Sequence, residues 1–108
     1  MMAVYKVLLV CAAGMSSSLL EASTIEAAQR RGHQLEIHAI PVPEVTTYDF
    51  RTRTVDIVLV APQVVYKRRA IAQMAEPLGI VVQTIDPVTY GMVDGEKLFE
   101  QIMQAVKK

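Results

Sequence analysis

Cysteine is almost absent from this sequence of 108 residues, which contains Cys11 and no second cysteine. A single thiol excludes an intramolecular disulfide and any metal site built from cysteines alone. An excess of charge is absent as well, since 11 basic residues balance 11 acidic ones. Such a neutral chain offers no general basic surface for nucleic acid or anionic lipid, so neither is expected as a partner.

Long hydrophobic runs are also missing. The first apolar run, Val4–Ala13, falls far short of the ~20 residues that a membrane helix requires. Lys6 is its only basic residue, and the run leads directly into a helical pattern, which is not typical of a secretory signal. We therefore expect no signal peptide and no inserted segment. We expect a cytoplasmic protein whose thiol stays reduced.

The residues that are present favour one folded core. Hydrophobic residues make up 52% of the chain and charged residues 20%, which argues against disorder. A length of 108 residues suits a single domain, which we assign to residues 1–108. Four short runs rich in Val, Ile and Leu have strand length: Val4–Val10, Leu35–Ile40, Val55–Ala61 and Ile80–Ile85.

Helical patterns fill much of the space between and after these runs. Three apolar stripes have helical spacing: Met15, Leu19, Ala22, Ile25 and Ala28; Ile71, Met74, Ala75 and Leu78; Phe99, Ile102, Met103 and Val106. The first closes at Gly32 and the second at Gly79, as helices often do. Strands that alternate with helices predict an α/β fold, a three-layer sandwich around a parallel sheet.

The strand order follows from the apolar patterns. The second run alternates apolar and polar residues, which suits an edge, whereas the first and third are almost continuously apolar, which suits the centre. The simplest order of the four strands is 2-1-3-4, which is flavodoxin-like. The segment Pro41–Thr54 is proline-containing and polar, so we expect a loop with at most a short helix near Glu44–Asp49.

The loop between the first strand and the first helix carries the chemistry. It consists of Cys11, Ala12, Ala13, Gly14, Met15, Ser16, Ser17 and Ser18. In a 2-1-3-4 sheet this turn lies at the switch point, where the crossovers diverge and open a crevice. Small residues allow successive backbone N–H groups to converge on an anion, and the following helix adds its dipole. A thiol held there ionises readily, so the loop suits a cysteine that attacks phosphorus and carries the phosphoryl group.

A structural interpretation stands beside the chemical one. A cysteine at the end of a buried strand is often a small core residue, and Gly14 with three serines also suits an ordinary turn with a serine cap. The coincidence of thiol, glycine and hydroxyls at the carboxyl end of the first strand favours the phosphate-binding interpretation.

The loop resembles that of a known family. Residues 11–20, Cys-Ala-Ala-Gly-Met-Ser-Ser-Ser-Leu-Leu, are similar to the phosphocysteine loop of the lactose/cellobiose (chitobiose) type IIB component of the bacterial sugar phosphotransferase system. The likeness extends to Ala61-Pro62-Gln63 and to the segment from Ile85-Asp86-Pro87 through Tyr90 to Gly95. Many members have serine where Ala12 stands, which removes a hydroxyl but leaves the backbone donors.

The resemblance implies a phosphoryl carrier. Cys11 would accept a phosphoryl group from a histidine of the IIA component, and the membrane component IIC would present the sugar that receives it. The sugar would be a β-linked disaccharide or a related sugar, of the cellobiose, lactose or chitobiose class. The relay requires no cofactor and no metal. Nothing in the sequence demands self-association, so we expect a monomer.

The same loop also resembles that of low-molecular-weight tyrosine phosphatases, which have Cys, five residues, Arg, then Ser or Thr. Cys11 and Ser18 fit, but Ser17 occupies the arginine position. An arginine fork would neutralise the phosphoryl oxygens and support hydrolysis, and the loop has no carboxylate to act as general acid or base. This difference favours a relay. The alternatives are a cysteine phosphatase or thiol reductase, and a module that binds a phosphate-bearing cofactor without covalent chemistry.

Residues outside the loop also suit this site. Gln63 and Tyr90 follow the third and fourth strands, so they are candidate contacts for the phosphoryl group or a partner. Met15 and Leu19 are expected first in the core and second in an apolar docking rim. The basic run 67–69 is expected to be solvated, with an acidic partner as the second interpretation.

Three residues suggest other chemistry and are assigned to the surface. Asp56 lies at the start of the third strand, away from the crevice, and no acidic cluster follows the second strand, which argues against an aspartate-phosphorylated receiver. His33 and His38 are expected to be solvated rather than to act as ligands or bases.

Overall fold

The four apolar runs form the strands of one parallel sheet. The computed structural model describes residues 4–12 and 18–106. Its strands are β1 (Val4–Cys11), β2 (Gln34–Pro41), β3 (Ile57–Val60) and β4 (Val81–Thr84). Their order is β2-β1-β3-β4, and every neighbouring pair is parallel, so the predicted flavodoxin-like order is confirmed.

Helices cover both faces of the sheet and make the predicted three layers. The helices are α1 (Ser18–Arg30), α2 (Val42–Val45), α3 (Arg68–Ala75), α4 (Pro87–Gly91) and α5 (Gly95–Ala105), with 3₁₀ helices at Pro62–Lys67 and Glu76–Leu78. Because successive strand residues point to opposite faces, β1 contributes to two cores. Tyr5, Val7 and Leu9 pack under α1 and α5, whereas Leu8 and Val10 pack under α3 and the segment after β2.

The buried face of α1 differs from the predicted stripe. Leu19 is 72% exposed, while Leu20, Thr24, Ala27 and Ala28 are buried. The buried face is therefore displaced by about one residue from the predicted one. The predicted stripe contained only apolar residues and therefore did not include Thr24. Its hydroxyl donates to the Leu20 carbonyl oxygen at 2.6 Å, which satisfies the polar atom within the helix.

The segment after β2 forms its helix earlier than expected. The short helix expected near Glu44–Asp49 is found at Val42–Val45 as α2, because Pro43 lies in the first turn, where proline is tolerated. Val45 at the end of α2 and Phe50 in the chain that follows are buried in the same core, and the Tyr48 and Phe50 rings are 4.8 Å apart. The prolines and polar residues of this segment gave no indication that Val45 and Phe50 are buried.

Two residues assigned to the solvent are structural. His33 is half-buried, with its ring 5.8 Å from that of Tyr5 and 5.6 Å from that of Phe99. Asp56 is also half-buried, and its carboxylate accepts the Lys6 backbone N–H at 2.8 Å, which ties the start of β3 to β1. His38 is exposed, as predicted. Neither His33 nor Asp56 lies at the carboxyl edge of the sheet.

Candidate functional site

Cys11 is the last residue of β1 and lies between β2 and β3. It pairs with Pro41 on β2, and the next backbone link on the other side joins the Ala61 N–H to the Val10 carbonyl. Its side chain is 6% exposed. The thiol donates to the Ile40 carbonyl oxygen at 3.6 Å. The sulfur is thus held at the carboxyl edge of the sheet, just below the surface.

The position of Cys11 coincides with the switch point of the sheet. The connection from β1 to β2 runs through α1 on one face, and the connection from β3 to β4 runs through α3 on the other. These opposite crossovers leave a crevice beyond the carboxyl ends of β1 and β3, which is where α/β folds bind ligands. The predicted location of the cysteine is therefore present in the fold.

The described part of the loop consists of its two ends. Ala12 is half-buried and packs against the core that contains Cys11, and Ser18 is exposed at the first position of α1. The predicted phosphate-binding residues Ala13, Gly14, Met15, Ser16 and Ser17 lie outside the described residues. Because α1 begins directly after the loop, the positive end of its dipole is at the same edge as Cys11.

The connection after β3 reaches the same edge. Ala61 ends the run of buried residues, and the 3₁₀ helix Pro62–Lys67 begins immediately after it. Gln63 is exposed, whereas Val64 is buried and anchors this turn in the core. Gln63 is therefore available to a molecule arriving from solvent.

The connection after β4 brings Tyr90 to the site. Asp86 caps α4, since its carboxylate accepts the backbone N–H groups of Val88 at 3.0 Å and Thr89 at 3.1 Å. Tyr90 on this helix packs against both cores, including the one that contains Cys11. Its hydroxyl is buried and has no hydrogen-bond partner within residues 4–12 and 18–106.

The electrostatics of the site centre on Tyr90. Burial raises the pKa of its phenol, and the negative charges of Cys11 and Glu21 raise it further. Glu21 lies in the first turn of α1 and was missed in the sequence, because the search for carboxylates ended with the loop. Its position one turn beyond the loop was the signal that could have found it.

Exposed apolar residues surround this edge of the sheet. Leu19 at the start of α1, Tyr66 after β3 and Met92 after β4 are 72%, 72% and 74% exposed. Val65 and Val88 are also exposed and belong to the same two connections as Tyr66 and Met92. We call these five residues the apolar rim. Sequence reasoning reached only Leu19, as its second interpretation.

The opposite edge of the sheet carries a hollow without comparable chemistry. A cavity of about 570 Å³ is lined by Phe50, Arg51, Asp56, Leu78 and neighbouring backbone. The Asp56 carboxylate in this lining already accepts a hydrogen bond from the Lys6 backbone N–H. Across residues 4–12 and 18–106 no group of three His, Cys, Asp or Glu residues is arranged to hold a metal ion.

Comparison with known proteins places this arrangement in a class. Residues 6–101 match the family model of the phosphotransferase system lactose/cellobiose-specific IIB subunit. The chain is 37% identical over 98 residues to the oligo-β-mannoside-specific EIIB component of Bacillus subtilis (strain 168), covering 91% of this chain and 92% of that one. It is 35% identical over 92 residues to the galactose-specific EIIB component of Lactococcus lactis subsp. cremoris, covering 83% and 85%.

A solved structure agrees with these relatives. The solution structure of the cellobiose-specific phosphotransferase IIB component from Borrelia burgdorferi superimposes with a TM-score of 0.73 at 30% identity, covering 96% of this chain and 93% of that chain. The fold and the matched sequence thus define a sugar phosphotransferase component. The chain belongs to the lactose/cellobiose-specific IIB family, as its loop predicted. The described residues include no helix long and apolar enough to cross a membrane.

Proposed function

We propose that Cys11 is the residue that carries the phosphoryl group. The observation that carries this proposal is the position of the single cysteine: it ends β1 at the switch point, with the N-terminal end of α1 at the same edge. A thiol at that position meets the two requirements of a relay, because it is a nucleophile when ionised and a good leaving group when phosphorylated. The loop residues Ala12 to Ser18 supply the N–H and hydroxyl donors for the phosphoryl oxygens.

The proposed donor is a phosphohistidine of a IIA component. The Cys11 sulfur attacks phosphorus in line, so that an S–P bond forms while the N–P bond breaks and the histidine nitrogen leaves with the electron pair. The proton lost by the thiol ends on that nitrogen. No net charge is created, and no metal or cofactor takes part in the balance.

The proposed acceptor is a hydroxyl of a sugar bound to a membrane IIC component. The sugar oxygen forms an O–P bond, the S–P bond breaks, and the proton of the hydroxyl returns to the Cys11 sulfur. The sugar belongs to the cellobiose, lactose or chitobiose class. We propose that IIC rather than this chain selects the sugar, in keeping with relatives of this fold that are specific for oligo-β-mannosides, galactose and cellobiose.

The electrostatics of the site fit a thiol whose ionisation depends on the loop that follows it. The Ile40 carbonyl accepts a bond from the thiol but cannot stabilise a thiolate. A thiolate therefore depends on the N–H groups of the loop and on the dipole of α1. The absence of arginine at Ser17 leaves the charge of the phosphoryl group unneutralised, which disfavours attack by water and distinguishes a carrier from a phosphatase.

Docking of both partners is proposed at the apolar rim. Five exposed apolar side chains around one nucleophile are unusual for a surface that meets only water, and they allow IIA and IIC to bind in turn while excluding water during transfer. Lys67 and Arg69 flank the rim and suit an acidic partner. Arg68 is engaged, because it donates to the Val82 carbonyl at 3.2 Å. We propose that the chain works as one cytoplasmic, monomeric domain.

Intact-mass measurement tests the function. The protein is incubated with phosphoenolpyruvate, the general phosphotransferase proteins and a IIA component. The expected result is one phosphoryl adduct. It is lost completely in Cys11→Ser, because the N–H groups of the loop and the dipole of α1 do not ionise a serine hydroxyl. A phosphate-free protein that turns over an aryl phosphate would instead establish the phosphatase. A protein that gains neither adduct nor turnover would leave only non-covalent binding, which contradicts the relay.

A further inference from the structure

The buried hydroxyl of Tyr90 is an exception in this structure. Thr24 is also buried, but its hydroxyl is satisfied by the Leu20 carbonyl. Within residues 4–12 and 18–106, the Tyr90 Oη is the one buried side-chain oxygen or nitrogen with no hydrogen-bond partner. Folded proteins satisfy nearly all such atoms, so an orphan at the edge of a functional site requires an explanation.

The structure holds this hydroxyl in place. Asp86 fixes α4 through its cap, and the Tyr90 N–H donates to the Asp86 carbonyl at 3.0 Å. The aromatic ring packs against the cores on both faces of the sheet. Rotation of the ring toward solvent would remove it from both cores, so the hydroxyl cannot easily obtain water as a partner.

The charged neighbours of the hydroxyl define which partner it lacks. Cys11 and Glu21 are the groups whose negative charge acts on Tyr90, and with burial they raise the pKa of a phenol that is already protonated at neutral pH. A protonated phenol in this environment is a hydrogen-bond donor. The missing partner is therefore an acceptor that appears at Cys11 when the protein is loaded.

We propose that Tyr90 is a catalytic residue whose hydroxyl donates a hydrogen bond to an oxygen of the phosphoryl group on Cys11. This inference rests on the proposed function. The bond is absent in the resting protein and forms as phosphorus approaches the sulfur, so its free energy favours transfer rather than the resting state. The unpartnered hydroxyl is a local loss of stability that the phosphoryl group relieves.

Tyr90→Phe tests the proposal because it deletes one oxygen and keeps the ring. Removal of an unpartnered hydroxyl should raise the thermal midpoint of the unphosphorylated protein by about 4 °C or more. The same change should slow phosphoryl transfer from IIA by about tenfold or more, the usual effect of losing a bond to a charged group. The ³¹P resonance of the phosphocysteine should also move.

Tyr48→Phe is the matched control. Burial also raises the pKa of Tyr48, but this residue lies beside Lys6 and Glu36, toward the other end of β1. Its variant should transfer at the rate of the unmodified protein and leave the ³¹P resonance unchanged. Equal transfer rates in Tyr90→Phe and the unmodified protein overturn the proposal, as does an equal loss in both phenylalanine variants.

A second measurement separates this proposal from the function on which it rests. Binding of inorganic phosphate to the unphosphorylated protein is followed by NMR, without any partner protein. If phosphate binds more weakly to Tyr90→Phe than to Tyr48→Phe, the contact between Tyr90 and the oxyanion is supported. This holds even if the unmodified protein accepts no phosphoryl group and the relay is rejected. Equal binding in that case rejects both.

Discussion

At the scale of single residues, the site is set by what the Cys11 sulfur can and cannot bond. The thiol donates to the Ile40 carbonyl oxygen, which stabilises the thiol and not the thiolate, so ionisation depends on hydrogen-bond donors elsewhere in the site. Tyr90 is the complementary group, a donor without an acceptor. The sequence located the cysteine and offered Tyr90 as a contact, but it could not reveal that the hydroxyl is enclosed, because enclosure depends on packing from both faces of the sheet.

Glu21 gives a prediction at this scale. Replacing it with Gln removes a negative charge that acts on Tyr90, so the pKa of the Tyr90 phenol should fall. Titration of a ¹³C label on the tyrosine rings measures this change. Phosphorylation of Cys11 adds negative charge and should move the same pKa upward.

Glu26→Gln is the control for this charge. Glu26 lies on the same helix and pairs with Arg30 at 3.3 Å, away from Tyr90. Its removal should leave the Tyr90 titration unchanged. An unchanged Tyr90 pKa in Glu21→Gln would show that the carboxylate is too strongly screened to act on the site.

At the scale of elements, apolar periodicity located the strands and helices but not every buried face. The four strands lie where the Val, Ile and Leu runs predict them, since continuous apolar runs have few alternatives to a central parallel sheet. The predicted face of α1 was wrong because apolar spacing does not identify Thr24, a buried polar residue whose hydroxyl donates to the Leu20 carbonyl. The short helix α2 has proline in its first turn, and α4 is capped by the Asp86 side chain. Both effects are local and leave no period in the sequence.

The junction of α4 and α5 is hydrogen-bonded to α1. The Ser23 hydroxyl donates to the Val93 carbonyl at 3.3 Å and accepts the Gly95 N–H at 3.1 Å. Val93 itself has a φ of 55°, which is unfavourable for a β-branched residue. A Cβ atom on Gly95 would collide with the backbone and side chain of Ser23. These contacts fix the connection that carries Tyr90 against α1, the helix that follows the cysteine loop.

Gly95→Ala tests these contacts. The added methyl group must push α5 away from α1, so we expect a loss of about 1–3 kcal/mol in the free energy of unfolding, measured by chemical denaturation. Gly91→Ala is the matched control, because a Cβ there meets no atom within 4 Å and φ is not positive. Equal stability of the two variants would show that the helices separate without cost.

At the scale of the whole molecule, the two edges of the sheet have different roles. The carboxyl edge bears Cys11, Tyr90 and the apolar rim, whereas the amino edge bears the bond between Lys6 and Asp56. Exposed apolar residues are therefore distributed unevenly over the surface, although the total charge is zero. Composition argues against nucleic acid as a partner class, but it does not show where exposed apolar residues gather.

Met92→Gln tests the rim as a docking surface. The change keeps the length of a side chain that is 74% exposed, so folding should be unaffected, but it removes apolar area from the interface. The concentration of IIA that gives half-maximal transfer should rise by about fivefold or more, with little change in the maximal rate.

Leu78→Gln provides the comparison for the rim. Leu78 is 44% exposed and lines the cavity at the other edge of the sheet, so its replacement should leave the IIA dependence unchanged. The rim has no docking role if both glutamine variants depend on IIA as the unmodified protein does.

The enclosure of the Cys11 side chain has a chemical consequence for a protein that waits between partners. Peroxides and alkylating reagents attack thiols according to their ionisation and their access, and Cys11 is only 6% exposed. It is therefore a poor target for conversion to sulfenic acid or for adduct formation. A chain with one cysteine has no second thiol to repair such damage through a disulfide, so burial is the protection that the structure gives this sulfur.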